Sequence, residues 1–89
     1  MLDDDGYASL QRHLTANPEA GDLIQGTGGL RKIRWMAGGK GRRGGVRIIY
    51  FHLAAAQQIR MLLIYMKGIQ DDLTPAQKSV LRKINEAWH

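Results

Sequence analysis

The sequence contains no cysteine, so neither a disulfide framework nor a thiolate metal site is available to it. The longest apolar run, Met61 to Met66, is far shorter than the ~20 residues that a membrane-spanning helix needs. The start, MLDDDG, is acidic, whereas a secretory signal begins with basic and then apolar residues. These absences predict a cytoplasmic protein that makes no membrane contact.

Acidic residues are missing from the middle of the chain. No Asp or Glu lies between Leu23 and Gln70, while the same span holds nine of the thirteen Lys and Arg residues. The whole chain carries a formal net charge of +5 at pH 7. A surface of one charge sign attracts a polyanion, so this span is the candidate site for nucleic acid or another acidic partner. The length of 89 residues predicts a single domain, 1–89.

Three segments of this acid-free span have the composition of antiparallel strands: LRKIRWM from Leu30, VRIIYF from Val46 and QIRMLLIYMK from Gln58. Alternation of side chains places Lys32 and Arg34 on one face of the first strand. In the second strand, Arg47 and Tyr50 fall on opposite faces. The third strand is apolar on both faces, which predicts that it is central in the sheet.

Helices are predicted on both sides of the three strands. Near the amino terminus, apolar residues recur with helical spacing from Tyr7, and Asn17-Pro18 ends that helix. A short second helical turn is predicted from Glu19 to Asp22. Near the carboxyl terminus, the run TPAQ from Thr74 is typical of a capping box with proline at the first helical position. The predicted fold class is α+β.

No metal-binding or nucleophilic constellation is found in the sequence. His13, His52 and His89 are too scattered for the spacing of metal ligands, and no Ser/His/Asp or Cys/His arrangement stands out. The glycine stretch GTGG lacks the GK[ST] ending of a phosphate-binding loop and precedes a strand. The chemistry that remains is cationic and aromatic, and it predicts neither a metal nor a cofactor.

Three stretches in a fixed order, GTGGLRKIRW, KGRRGGVRIIYF, and LLIYMK followed by DDLTPAQ, resemble the RelE/ParE superfamily of bacterial toxins. Within it, they are most similar to the RelE/HigB-type toxins of type II toxin–antitoxin operons. The resemblance covers nearly the whole chain and depends on the order of the motifs, since none of them is specific alone. It implies an α+β fold in which N-terminal helices pack on a small curved antiparallel sheet, with a C-terminal helix after it.

The resemblance also implies an activity. Toxins of this type are metal-independent endoribonucleases that cut messenger RNA in the ribosome, where the 2′-hydroxyl attacks the adjacent phosphate. The implied partners are therefore the ribosome, its mRNA and a cognate antitoxin that neutralises the toxin, and no cofactor is implied. The matching positions imply these catalytic residues: Lys32, Arg34, Arg47, Tyr65 and Lys67.

Further RNA contacts are expected outside the chemical step. The basic loop from Gly38 to Gly45 is expected to contact RNA, and the Tyr50 ring is expected to stack on a base. The basic residues at the tip of this loop are Lys40, Arg42 and Arg43.

Structural interpretations of the same residues stay open in the sequence. Lys32 and Arg34 are also compatible with an ordinary solvated strand face. Arg47 is compatible with an ion pair to Asp71 or Asp72, and the tyrosines are compatible with core packing.

Relatives of this type usually carry an amino-terminal strand before the segment that matches the aspartates here. The chain is therefore expected to leave one sheet edge unpaired, open to a partner segment or to a second copy as a homodimer. Two other functions remain open from the sequence. One is a ParE-like poison of DNA gyrase on the same fold, and the other is an inactive basic module that binds RNA or an acidic peptide.

Overall fold

The computed structural model describes residues 4–36, 45–66 and 72–88 of the chain. Helix α1 (Asp4–Ala16) comes first and helix α2 (Pro75–Glu86) comes last. The strands between them are β1 (Asp22–Leu23), β2 (Arg31–Met36), β3 (Gly45–Leu53) and β4 (Gln58–Met66). The predicted α+β class is confirmed. Neither of the two described helices combines the length and the apolar character that crossing a lipid bilayer requires.

The four strands form one antiparallel sheet in the order β1-β2-β3-β4, so each strand pairs with its neighbour in sequence. In the described parts of the chain, β4 pairs only with β3 and lies at the edge. The prediction that this strand is central is therefore wrong. The central position belongs to β3, in which every residue from Val46 to Tyr50 is buried, while most of β4 is only half-buried.

Strand β3 separates two apolar cores. Successive side chains of a strand point to opposite faces, so alternate residues of β3 pack under α1 or under α2. The α1 core consists of Leu10, Leu14, Val46, Ile48 and Tyr50, and the α2 core consists of Leu30, Ile49, Tyr65, Leu73 and Leu81.

The segment after α1 forms a turn and the short strand β1 instead of the predicted second helical turn, so the structure has one N-terminal helix here. Asp22 pairs with Lys32 of β2. The Tyr50 hydroxyl accepts a hydrogen bond from the Gly21 N–H at 2.9 Å and donates one to the Pro18 carbonyl at 2.8 Å. These contacts with distant residues hold the segment against the sheet, and local helical preference does not outweigh them.

Helix α2 begins at the capping box that the sequence predicts. The Thr74 hydroxyl accepts from the Gln77 N–H at 3.1 Å, and the Gln77 side chain accepts from the Thr74 N–H at 2.9 Å. Pro75 occupies the first turn, where a missing N–H costs no helical hydrogen bond. The helix then buries Leu81 and Asn85 against the sheet.

Arg60 of the edge strand anchors the carboxyl end of α2. Its guanidinium donates to the backbone and side-chain oxygens of Asn85 at 3.2 and 3.1 Å. The same group lies 5.7 Å from the ring centroid of Phe51 and 5.2 Å from that of Trp88. Cation–π contacts of this kind are favourable, so Arg60 joins the helix to β4.

Candidate nucleic-acid interface

One face of the sheet brings together four of the predicted catalytic side chains. Arg34 on β2 lies directly opposite Arg47 on β3, which in turn lies directly opposite Tyr65 on β4. Directly opposed residues of antiparallel strands have Cβ atoms about 4.5–5.5 Å apart. Lys32 precedes Arg34 by two residues and therefore shares its face. Together Lys32, Arg34, Arg47 and Tyr65 form the basic row, which lies on the α2 face of the sheet.

Arg47 is the buried cation of the basic row, with 8% of its surface exposed. Across residues 4–36, 45–66 and 72–88 there are two ion pairs, and neither involves Arg47. Asp71, which the sequence offered as a partner, lies outside the described residues. A buried cation without a carboxylate among the described residues is costly, and the directly opposed Arg34 adds like-charge repulsion. An anion bound beside both guanidinium groups would relieve both penalties.

Other arginines of the acid-free span have structural partners. Arg31 on the α1 face donates to the Gly21 carbonyl at 2.7 Å and to the Glu19 carbonyl at 3.4 Å. Arg60 donates to Asn85, as described above. In both cases backbone or amide oxygens accept hydrogen bonds from the guanidinium, although the buried Nε of Arg60 has no partner in the described residues.

Lys32 forms an ion pair with Asp72, the residue that precedes the α2 core residue Leu73. The Lys32 Nζ and Asp72 Oδ1 atoms are 2.7 Å apart, and the Asp72 side chain is largely exposed. Asp72 thus pairs with Lys32, not with Arg47 as one interpretation of the sequence allowed. The hydrogen bond from Lys32, and then the charge of Lys32, hold the pKa of the Asp72 carboxyl below its ordinary value, with smaller help from Lys78 and Arg47.

The depressed pKa of Asp72 gives a direct test of this ion pair. Replacing Lys32 with methionine removes the main cause, so we expect the pKa of Asp72 to rise towards that of an ordinary aspartate. Carboxyl carbon NMR titration of both proteins measures it, with Arg12→Met on α1 as the matched loss of one charge.

The sign of the pH effect follows from the depressed pKa. Asp72 stabilises the fold above its unfolded-state pKa, and that contribution is lost as the pH falls through the lower folded-state value. An unchanged Asp72 titration in Lys32→Met would show that the pair does not persist in solution.

Tyr65 brings a buried hydroxyl to the basic row. The residue is 7% exposed, and its hydroxyl has no hydrogen-bond partner in the described parts of the chain. A buried polar group without a partner costs about 1–3 kcal/mol. Such a cost is often retained where the group serves a site, and Tyr65 lies directly opposite Arg47.

Tyr50 does not belong to this interface, and its predicted stacking on an RNA base is corrected. Its ring is fully buried in the α1 core, on the face opposite to Arg47, and its hydroxyl is engaged by Gly21 and Pro18. Burial raises the pKa of the Tyr50 phenol above its ordinary value. Strand alternation in the sequence already predicts opposite faces for these two residues, because Arg47 and Tyr50 are an odd number of positions apart.

The remaining predicted site residues lie outside the described residues. They are Lys67, which was predicted to be catalytic, and the predicted RNA contacts Lys40, Arg42 and Arg43. Their roles stay predictions.

A separate groove lies on the α1 face of the sheet. It has a volume of about 600 Å³, and its walls include Gln11 of α1 and His52, Gln57 and Met61 of the β3–β4 hairpin. None of the basic row lines it. In the described residues, no group of three or more His, Asp or Glu side chains is arranged to hold a metal ion.

No protein-family model matches this chain. The interface is therefore interpreted from its own geometry. That geometry places three cations and one buried phenol across three strands, which suits a ligand that carries negative charge and extends across several strands.

Proposed function

We propose that this protein is a RelE/HigB-type toxin of a type II toxin–antitoxin system, a metal-independent endoribonuclease that cleaves mRNA on the ribosome. The observation that carries the proposal is the buried Arg47, set directly between Arg34 and Tyr65 without a paired carboxylate in the described residues. The order of the sequence motifs supports the same assignment. The target places the protein in the bacterial cytoplasm, with a cognate antitoxin as its inhibitor.

The proposed reaction is an internal transfer at one phosphate of the mRNA. The 2′-hydroxyl oxygen bonds to the adjacent phosphorus as its proton leaves, and the phosphorus–O5′ bond breaks. The departing oxygen takes up a proton, so the products are a 2′,3′-cyclic phosphate and a 5′-hydroxyl end. Negative charge increases on the phosphoryl oxygens in the transition state, and this is where fixed cations act most strongly.

Arg47 is proposed to hold the scissile phosphate. A guanidinium stays charged at any working pH, and its planar fork matches two phosphate oxygens. Burial lowers the local dielectric, so its attraction for the developing charge is stronger than in water. Arg34, directly opposite, supplies a second cation from β2.

Lys32 and Tyr65 are given different roles from that of Arg47. Lys32 already donates to a carboxylate at 2.7 Å, so it is proposed to bind phosphate as a cation and not to accept a proton. The Tyr65 hydroxyl is proposed to donate a hydrogen bond to a phosphate oxygen beside Arg47. This assignment gives the buried phenol the acceptor that the described residues do not provide.

The test is cleavage of a defined mRNA in a reconstituted translation reaction, with the 5′ ends mapped by primer extension. The same mRNA without ribosomes is the first control. We expect discrete cuts only when ribosomes translate the message. Adding the antitoxin encoded beside the toxin should abolish them.

Two outcomes would replace the proposal. Intact mRNA together with inhibited DNA supercoiling by gyrase would favour the gyrase poison. Intact mRNA together with salt-sensitive RNA binding that survives Arg47→Ala would favour a basic module, because diffuse phosphate contacts share the affinity.

A further inference from the structure

Asp72 places a carboxylate at the edge of the basic row. Its Oδ1 atom lies 2.7 Å from the Lys32 Nζ atom, which is the distance of a charge-assisted hydrogen bond. Asp22 lies directly opposite Lys32 on β1, yet the ion pair that Lys32 makes in the described residues is with Asp72. The cation that is proposed to bind phosphate thus already holds an internal anion.

The two members of this ion pair differ in how much the fold covers them. The Lys32 side chain is 25% exposed, and its strand β2 lies between β1 and β3 in the sheet. The Asp72 side chain is 80% exposed, so water can solvate its carboxylate as soon as it leaves Lys32. Because exposed ion pairs are weak, the carboxylate is the member that another anion can replace.

Cations from three elements act on the Asp72 carboxylate. Lys32 of β2 is the main cause of its low pKa, and Lys78 of α2 and Arg47 of β3 make smaller contributions. Lys78 belongs to the first turn of the helix, where its N–H donates to the Thr74 carbonyl at 2.9 Å. A position that three cations stabilise suits a phosphate oxygen as well as a carboxylate oxygen.

We propose that Asp72 is an internal competitor for the phosphate site: its carboxylate holds Lys32 in the free protein, and an RNA phosphate displaces it on binding. The inference rests on the proposed function, because the incoming anion is taken to be a phosphate of RNA. An ammonium has three donors, but two anions side by side on Lys32 would repel each other, so one replaces the other. Asp72 thereby lowers the affinity for an isolated anion, while an RNA strand offsets the loss through further contacts with Arg34 and Arg47.

The experiment measures binding of a fluorescein-labelled 2′-O-methyl RNA hexamer to the full chain by fluorescence anisotropy. This oligonucleotide lacks the 2′-hydroxyl that would attack the phosphate, so it reports binding whether or not the protein cleaves mRNA. The variant Asp72→Asn keeps the shape of the side chain and removes its charge. We expect it to bind the hexamer at least about fivefold more tightly, because Lys32 is released and no carboxylate repels the phosphate.

The matched control is Glu86→Gln, which removes the same charge from the other ion pair of the described residues. Glu86 binds Arg82 at 3.0 Å near the carboxyl end of α2, about 16 Å along the helix axis from its first residue. That separation is about twice the screening length at physiological salt. At that salt concentration, the control should therefore change the affinity for the hexamer by less than about twofold.

A second background distinguishes displacement from simple repulsion. Lys32→Met removes the cation that Asp72 holds, and it should itself weaken binding of the hexamer. In that background, the gain from Asp72→Asn should fall to the level of the control, because no ammonium is left to release. Coupling between the two changes is therefore the signature of competition for Lys32.

Three results would overturn the proposal. One is equal or weaker binding by Asp72→Asn, which would make the carboxylate a group that positions Lys32. Another is the same gain with and without Lys32, which would reduce Asp72 to a source of repulsion. The third is absence of binding by the parent and by Asp72→Asn up to about 1 mM hexamer. Intact mRNA on ribosomes together with the expected binding changes would contradict the proposed function alone and support the competitor role.

Discussion

Replacing Arg47 with methionine is expected to lower ribosome-dependent mRNA cleavage by about 10²–10³-fold, the effect of removing one pre-placed donor from an anionic transition state. Methionine keeps the apolar stem and removes only the charged head. Because Arg47 is a buried residue opposite Arg34 without an ion pair in the described residues, the loss of its charge should leave the free energy of unfolding unchanged or raise it. The same change thus separates activity from stability.

The measurements are the cleavage rate at saturating ribosomes and urea denaturation of the same preparations. Arg47→Lys, which keeps the charge but not the fork, should retain more activity than Arg47→Met. Arg12→Met on the exposed surface of α1 removes one charge elsewhere and should cleave normally. If Arg47→Met is inactive only because it unfolds, Arg47 is a structural residue. The proposal that Arg47 binds the scissile phosphate would then be wrong.

The second large effect concerns stability and compares two tyrosines of the sheet. Tyr50→Phe removes one oxygen and leaves the buried Gly21 N–H and the Pro18 carbonyl without their partner. We expect the free energy of unfolding to fall by about 1–3 kcal/mol. Native proteins have a free energy of unfolding of only about 5–15 kcal/mol, so this loss is a large fraction of the total.

Tyr65→Phe is the matched control, because the same oxygen has no partner in the described part of the chain. Its removal should leave stability unchanged or slightly increased while lowering cleavage. Urea denaturation of both variants distinguishes the two roles. Equal losses of stability would mean that the hydroxyl of Tyr65 is also engaged by the fold.

Alkaline pH provides an independent check on Tyr50. Its folded-state pKa is raised by burial, so its contribution to stability is complete below the unfolded-state pKa and is lost as the pH rises through the folded value. The parent protein should therefore lose more stability above about pH 10 than Tyr50→Phe does. Parallel losses in the two proteins would contradict this account.

The sequence was sufficient to place two of the four residues of the basic row on one face. Lys32 and Arg34 are two positions apart in a strand, and period-two alternation fixes their common side. What alternation cannot give is the register between strands. Arg34 lies opposite Arg47 only because of how the hairpin closes, and a glycine-rich loop between the strands leaves that open.

Two errors have physical causes that are visible in the structure. The apolar pattern of β4 suits a central strand, yet an edge strand with apolar neighbours beside it has the same pattern. Pro18 favours a second helical turn after α1, but Gly21 and Pro18 are held by Tyr50, about thirty positions away. In the second case, contacts between distant residues outweigh local preference.

The Lys32–Asp72 pair shows that a sequence does not identify which charged residues pair. The two residues are 40 positions apart, and Asp71 and Asp72 are equivalent as partners in a sequence. The sequence offers Arg47 as the partner of either aspartate, whereas the structure pairs Asp72 with Lys32. Only the position of Asp72 before α2 decides which cation it reaches.

The placement of β3 between the two cores also determines how the protein unfolds and is degraded. Val46, Ile48 and Tyr50 enter one core, while Ile49 enters the other. Neither helix can keep its packing surface once this strand leaves the ladder, so the two cores are coupled in one cooperative transition. A protease that cuts β3 or its cores acts on the unfolded population, and the lifetime of the protein in a cell then follows its overall unfolding equilibrium, not the looseness of one helix.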